Sequence, residues 1–224
     1  MKKYLALVLA MMLCLLCGCE KTTMVGITTT KTDKTPVTEP KEEAQPEAPE
    51  EKPAEEAVLT GKVQVEIVVK DYGTIALELD ADTAPKTVTN FVKLAKDGFY
   101  DGLTFHRIMA GFMMQGGDPL GNGTGGSAEN IVGEFAANGF ENSISHTRGA
   151  ISMARAQHPN SASSQFFIVH EDSVFLDGQY AAFGYVTEGM EVVDAICADA
   201  QPVDNNGTIP ADQQPVIESI TVLE

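Results

Sequence analysis

Between residues 61 and 80 apolar and polar positions alternate. Val63, Val65, Ile67 and Val69 fall on one face, Asp71-Tyr72-Gly73 is a turn signal, and Ile75, Leu77 and Leu79 continue inward along TIALELD. A period of two on either side of a turn predicts a β-hairpin. From Asp82 the period lengthens. Val88, Phe91, Val92 and Ala95 recur at i, i+3, i+4 and i+7, which predicts a helix. Asp82 or Thr83 offers an N-cap, Pro85 sits in the first turn where no amide hydrogen is missed, Lys93 and Lys96 lie near the end, and Gly98 terminates it.

After Gly98 the pattern breaks into short apolar runs between glycines: LTFHRI, GFMMQGG, GAISMA, SQFFIVH and AAFGYV. MEVVDAICA reads as a second, shorter helix, and PVIESITVLE as a closing strand able to pair with the first. Many short strands with only two helices predict a closed antiparallel barrel or a sandwich.

The first sixty residues follow other rules. Lys2 and Lys3 precede an apolar run, Tyr4 to Cys17, that is short of the ~20 residues of a comfortable bilayer span. It ends in Leu16-Cys17-Gly18-Cys19, which resembles the lipobox of bacterial lipoprotein signals. That resemblance implies cleavage before Cys19 and a diacylglycerol on its thiol. Cys14 and Cys17 lack a small residue just before them. An ordinary secretory signal and an uncleaved anchor are the alternatives. Two acyl chains would anchor the chain stably. From Glu20 to about Thr60 the sequence is rich in Thr, Pro, Lys and Glu, with proline at 36, 40, 46, 49 and 53 and almost nothing to bury. Such a segment is expected to be a disordered tether, reaching as far as roughly 120 Å in the polyproline limit. The expected organisation is a signal peptide over 1–18, the lipidated Cys19 and tether over 19–60, and one domain over 61–224.

Charge and cysteines narrow the partners. The 224-residue chain carries a formal charge of −17. Beyond residue 60 there are 22 acidic against 8 basic side chains, a balance of −14 that argues against nucleic acid as a partner. Cleavage before Cys19 would leave Cys197 without an intramolecular disulfide partner, and its helical, apolar surroundings suit a small core residue.

Gly121 to Gly126 matches G-x-G-x-x-G, but no long apolar helix follows, so it is expected to be a surface loop and not a dinucleotide site. His106, His146, His158 and His170 have no zinc-type spacing, and no metal or other cofactor is expected. Ser152 and Ser163-Ser164 lack a nucleophile-elbow context. Arg107 is different. It stands inside the apolar run FHRIMAGFMMQGGD, where arginine is rarely buried without a partner. An ion pair across the barrel and a functional charge are both open on spacing alone. Met109 and Met114 read as core filler.

Read together, FHRIMAGFMMQGGD, GAISMARA (149–156), SSQFFIV (163–169) and FLDGQYAAFGYVTEGMEVVD (175–194) resemble the cyclophilin family of peptidyl-prolyl cis–trans isomerases, from about Val63 to the C-terminus. The resemblance implies a mainly β fold, a closed eight-stranded antiparallel β-barrel capped by two α-helices. It implies an active groove on the outside of the barrel that uses no cofactor. Arg107 then takes the place of the catalytic arginine, with Gln115 supporting it and Phe112 beside it. Met113, Phe167, Phe175, Leu176 and Tyr180 complete the proline pocket, while Ala154, Arg155, Ala156 and Gln165 line the groove for substrate backbone.

Phe175 stands where drug-sensitive members carry a tryptophan, and it has no N–H to donate to cyclosporin. Tyr180 replaces a histidine, Arg155 an asparagine and Ala110 a proline. The implied partners are proline-containing segments of unfolded or exported proteins, met by a monomer anchored at the outer face of the cell membrane. A proline-peptide binding module without turnover is the rival reading, and a surface scaffold the third.

Overall fold

The computed structural model describes residues 57–223. The expected signal peptide, Cys19 and the expected tether up to residue 56 lie outside the described residues. The chain already engages the domain before residue 61, since Leu59 N–H donates to Thr89 Oγ1 at 2.8 Å.

Eight strands form one antiparallel sheet: β1 (Lys62–Val69), β2 (Gly73–Asp80), β3 (Thr104–Met109), β4 (Met113–Asp118), β5 (Ala150–Met153), β6 (Phe166–Val169), β7 (Ala182–Glu188) and β8 (Ile217–Val222). Two helices join them, α1 (Pro85–Lys96) and α2 (Met190–Asp199). The alternation that predicts the hairpin is the alternation that fills the core. Val65, Ile67, Val69, Ile75, Leu77 and Leu79 are all buried, and β1 pairs with β2 from Lys62–Asp80 to Val69–Gly73. On α1 the stripe Val88, Phe91, Val92 and Ala95 is buried. Phe91 meets Tyr100, Phe166 and Phe183 at 5.1, 5.4 and 5.3 Å between ring centroids, so the helix plugs the concave side of the sheet with aromatic rings. Helix α2 buries Val192, Val193, Ile196 and Cys197, and packs near β2.

The cap on α1 is not the expected one. Asp82 accepts the Gly61 N–H, and Asp80 accepts the N–H groups of Asp82 and Thr83. The first turn of the helix is satisfied from far along the chain: the carboxylate of Glu134, fully buried, accepts the N–H of Lys86 at 3.0 Å and of Thr87 at 2.8 Å. An anion at a helix N-terminus meets both the orphan donors and the positive end of the dipole. At the other end Gly98 lies at φ +68°. Its N–H reaches the Ala95 carbonyl and that of Phe99 the Leu94 carbonyl, so glycine ends the helix as expected.

The expectation of a closed barrel is corrected: the sheet is open and curled. The strand order is β3-β4-β6-β5-β7-β2-β1-β8, so β1 does pair with β8, but β3 and β8 are left as the two ends. They touch only around the single bridge Thr104–Val216. The physical reason lies in the stretch between α2 and β8. Ile108 N–H donates to the Gly207 carbonyl (2.8 Å) and Ile209 N–H to the His106 carbonyl (3.0 Å), so residues 207–209 occupy the edge of β3 that closure would need. Gly207 has φ +86°, and a Cβ there would meet Met109 at 2.5 Å and the Ile108 carbonyl oxygen at 2.7 Å. Only glycine lets the loop come so close.

Candidate functional site

Two register slips next to each other shape the β3–β4 hairpin. Going from Thr104–Asp118 to Phe105–Gly116 the extra residue is Gly117 on β4; going from Phe105–Gly116 to Arg107–Gln115 it is His106 on β3. Gly117 takes φ +79°, with the Ser164 carbonyl oxygen 2.6 Å from where a Cβ would be. The bulge at His106 decides where the charge goes. Phe105 and Ile108 both face the core, and the intervening extra residue turns Arg107 onto the outer face.

On that outer face a second apolar cluster collects. Met113 on β4, Phe167 and Val169 on β6 and Ala150 on β5 are buried there, with Met109, Phe112, Ala154, Leu176, Tyr180 and Tyr185 packed round them. Strand pairing sets Gln115 between Arg107 and Phe167. The result is a hollow of about 210 Å³ lined by Arg107, Phe112, Met113, Gln115, Ala154, Arg155, Phe167, Leu176 and Tyr180. These nine come from the residues singled out in the sequence. Gln165 and Ala156 line an adjoining polar hollow of about 320 Å³ together with Gln115, Ala154 and Arg155. Phe175 lines neither; it is 65% exposed on a short turn, Val174–Leu176, and stacks on Phe112 at 5.7 Å.

Arg107 makes no ion pair among the described residues, which answers the alternative left open by its spacing. Its Nε donates to the Asn206 carbonyl at 2.7 Å and its Nη1 to Gln115 Oε1 at 3.1 Å. Beyond these it meets only sulfur, Met109 Sδ at 3.2 Å from Nη2 and Met113 Sδ at 3.8 Å from Nη1. Two of its five N–H groups are held by oxygen, and the rest have weak acceptors or none. Met109 is therefore more than core filler, because its sulfur faces the guanidinium, whereas Met114 is buried in the main core. Burial draws the pKa of Arg107 down, with Tyr180 and Asp204 opposing it. Arginine remains charged at neutral pH all the same. Gln115 is fixed in turn: its Nε2 donates to Gln165 Oε1 at 2.8 Å, and Gln165 Nε2 donates to the Gly125 carbonyl at 2.7 Å. This one-way chain orients both amides and ties the apolar hollow to the polar one.

Sequence reasoning missed the supports. Asp204 closes the loop that carries Asn206 by accepting from the N–H groups of Asn206 and Thr208 and from Thr208 Oγ1. The only local signal was the turn-forming run Asp204-Asn-Asn-Gly207. His170 Nδ1 accepts the Gly111 N–H at 2.8 Å while its Nε2 faces Asp194 at 3.2 Å, which pins the turn before Phe112.

Beneath Phe167, His146 Nδ1 faces Asp177 at 2.8 Å and its Nε2 faces Ser152 Oγ at 3.0 Å, an order that resembles a hydrolytic triad. Ser152 and His146 are fully buried, however, so no substrate reaches the hydroxyl. The imidazole lies nearly parallel to the Phe167 ring, 6.0 Å away, and backs the wall of the hollow. The Gly121–Gly126 stretch is a loop with no helix opening from it, gathered round Asp118, which accepts N–H groups of Leu120, Asn122 and Gly123.

The family described as cyclophilin type peptidyl-prolyl cis-trans isomerase/CLD matches residues 64–222. A peptidyl-prolyl cis-trans isomerase of Helicobacter pylori is 50% identical over 126 residues, 55% of this chain and 74% of that protein. Peptidyl-prolyl cis-trans isomerase B of Bacillus subtilis is 48% identical over 124 residues, 55% of this chain and 83% of that protein. A crystal structure of a Cryptosporidium parvum cyclophilin type isomerase, determined in the presence of the dipeptide Ala-Pro, is similar with a TM-score of 0.64 and 30% identity, over 72% of this chain and 99% of that one.

Two buried histidines flank the site and carry a pH signature. Burial holds His106 below its ordinary 6.5, with Asp118 opposing and Arg107 adding to the effect. Burial also lowers His146, against the pull of Asp177. A folded-state value below the unfolded one means that the unfolded chain takes up protons first. Their contribution is fully present above the unfolded value, declines below it and is lost as pH falls through the lower folded value. Unfolding free energy from urea titrations should therefore rise between about pH 5 and about pH 7 and then level off. A flat profile across that range would contradict the assignment of both rings as buried and neutral.

Proposed function

The chain belongs to the cyclophilin type of peptidyl-prolyl cis–trans isomerases, and on that premise we propose how its groove works and where. A prolyl amide resists rotation because the nitrogen lone pair is shared into the carbonyl, a barrier of ~18–20 kcal/mol. Halfway through the rotation the nitrogen becomes pyramidal and recovers that lone pair. It then accepts a hydrogen bond, which it does in neither planar state. Arg107 donates to it there, with the pyrrolidine ring held by Phe112, Met113, Phe167, Leu176 and Tyr180. A contact that exists only in the twisted state accelerates the reaction without tightening substrate binding equally.

The single observation that carries this reading is that the guanidinium faces an apolar hollow, makes no ion pair among the described residues and has N–H groups to spare. Phe175 stacks on Phe112 at the rim, and Ala154, Arg155, Ala156 and Gln165 continue the groove for the peptide on either side of the proline. The groove is complete within one chain, which supports action as a monomer. One charged hydrogen bond is worth ~1.5–3 kcal/mol, so ring positioning and the less aqueous surroundings of the twisting amide supply the rest.

The substrates, in this proposal, are proline-containing segments of exported proteins, and the enzyme works at the outer face of the cell membrane, held there by a lipid on Cys19. The basic, apolar and Leu16-Cys17-Gly18-Cys19 sequence supports that placement.

Two measurements test these statements. In a protease-coupled or NMR exchange assay on an Ala-Pro peptide, Arg107→Ala is expected to lose on the order of 10²–10³ in turnover, as for removal of one preorganised donor, while peptide affinity changes little. Equal losses in turnover and affinity would indicate a binding groove and remove the differential role. When the full chain is expressed in a bacterial host, Cys19→Ala should move the protein out of the membrane fraction and abolish incorporation of labelled palmitate. Unlabelled wild-type protein would rule the anchor out.

A further inference from the structure

Resting on the isomerase reading of this groove, we propose that it selects proline segments bearing an acidic side chain close to the proline, and that Arg155 makes the choice. Arg155 stands on the wall shared by the apolar and polar hollows. Its guanidinium lies over two rings, 5.0 Å from the centroid of Phe135 and 4.8 Å from that of Tyr180. Nε and Nη2 donate to the Gln179 carbonyl at 3.2 and 2.9 Å, and Nη1 to the carbonyls of Ala156 and Gln157 at 2.9 and 3.3 Å. The cation is thus rigidly placed, one Nη2 N–H is left over, and every partner is neutral.

Two other cations of the domain are paired with carboxylates. Arg148 meets both oxygens of Asp194 at 2.7 and 2.8 Å, and Lys62 meets Asp80 at 2.7 Å. Arg107 and Arg155, the two arginines that face the groove, are both held by carbonyls, amide oxygen and sulfur or aromatic faces in place of carboxylates. The acid acting on Arg107 is Asp204, whose carboxylate accepts the N–H groups of Asn206 and Thr208 and the Thr208 hydroxyl of its own loop. The domain around them has 22 acidic side chains to 8 basic. Its general surface disfavours an acidic peptide, and the groove is where such a peptide gains a counter-charge. At physiological salt the wider field is screened beyond ~8 Å, so the local pair sets the preference once the peptide is in place.

Phe135 and Tyr180 make the placement specific. Four hydrogen bonds to carbonyls hold the guanidinium over both rings, and its attraction for the rings leaves its net charge intact. Gln115, Ala154 and Arg155 belong to both hollows, so a peptide running from a proline seated in the apolar one into the polar one crosses Arg155.

The test uses short, C-terminally amidated proline peptides in which Glu, Gln or Lys occupies in turn each of the positions flanking the proline. Catalytic efficiency is read by NMR exchange and affinity by chemical-shift titration. At the position that reaches Arg155, Glu is expected to exceed Gln on the order of fivefold in kcat/KM, the scale of a partly exposed ion pair, and Lys to fall below Gln. The Glu/Gln ratio should collapse to one in Arg155→Gln, persist in Arg155→Lys and shrink in high salt. The ratio is read within each variant, so a general loss of activity does not disguise it. Equal values for Glu and Gln at every position, or a preference that survives Arg155→Gln, would overturn the inference while leaving isomerisation in place. Absence of acceleration with every peptide would instead sink the isomerase reading, and the affinity ratios would still decide whether Arg155 selects acids.

Discussion

The extra residue at His106 is the constraint on which the rest of this structure depends. A strand that alternated regularly would send Phe105 and Arg107 to the core side, where the guanidinium would meet Phe105 and Phe166, and would turn Ile108 out of the core. An unpaired charge there would destabilise the fold by several kcal/mol. The bulge keeps both apolar neighbours inside and turns the charge outward. What holds the bulge is the loop Gly207–Ile209, hydrogen-bonded along the edge of β3 on both sides of Arg107. The same loop presents the Asn206 carbonyl to Arg107 Nε, and the same occupied edge keeps β3 from pairing with β8. The open sheet and the oriented arginine are thus two results of one contact.

The groove divides its work between apolar and polar parts. Phe167 is braced from behind by His146, itself held between Asp177 and Ser152, so the ring wall is stiff. Arg107 is held through Nε by Asn206 and through Nη1 by Gln115, with its remaining N–H groups facing only sulfur or left without an acceptor. Preorganisation of this kind matters because a donor that must reorient during the rotation would return part of its gain. The Gln115–Gln165–Gly125 chain extends that rigidity into the polar hollow, where Arg155 adds a second fixed cation.

Much of this was legible in the sequence, and the limits have a physical origin. The inward faces of β1 and β2 and the stripe Val88, Phe91, Val92 and Ala95 follow from periods of two and 3.6, and burial at these positions is what such periods encode. The candidate residues could be gathered because four motifs carried a resemblance; spacing alone would not have brought Arg107 on β3, Phe167 on β6 and Tyr180 before β7 to one hollow. The helix cap from Glu134 lies 48 residues from its partner Lys86, and long-range hydrogen bonds leave no local pattern. The bulge was hidden because regular alternation along FHRI puts one apolar and one polar residue on each face and so favours neither. Barrel closure was over-read for a similar reason: PVIESITVLE looks like a strand able to pair on both edges, and nothing in Asp204-Asn-Asn-Gly-Thr announces that this loop takes the edge of β3 first.

The account stands on a donor that recognises a pyramidal prolyl nitrogen and ignores a planar one. The most direct measurement is the affinity of a peptide whose prolyl amide is chemically locked in a twisted, pyramidal form, compared with its planar parent, in the native protein and in Arg107→Ala. The twisted peptide is expected to bind the native protein at least ~10-fold more tightly than the planar one, the factor of a single charged hydrogen bond, and to lose that advantage when the guanidinium is removed. A twisted-to-planar ratio that is the same in both proteins would show that Arg107 does not distinguish the two states.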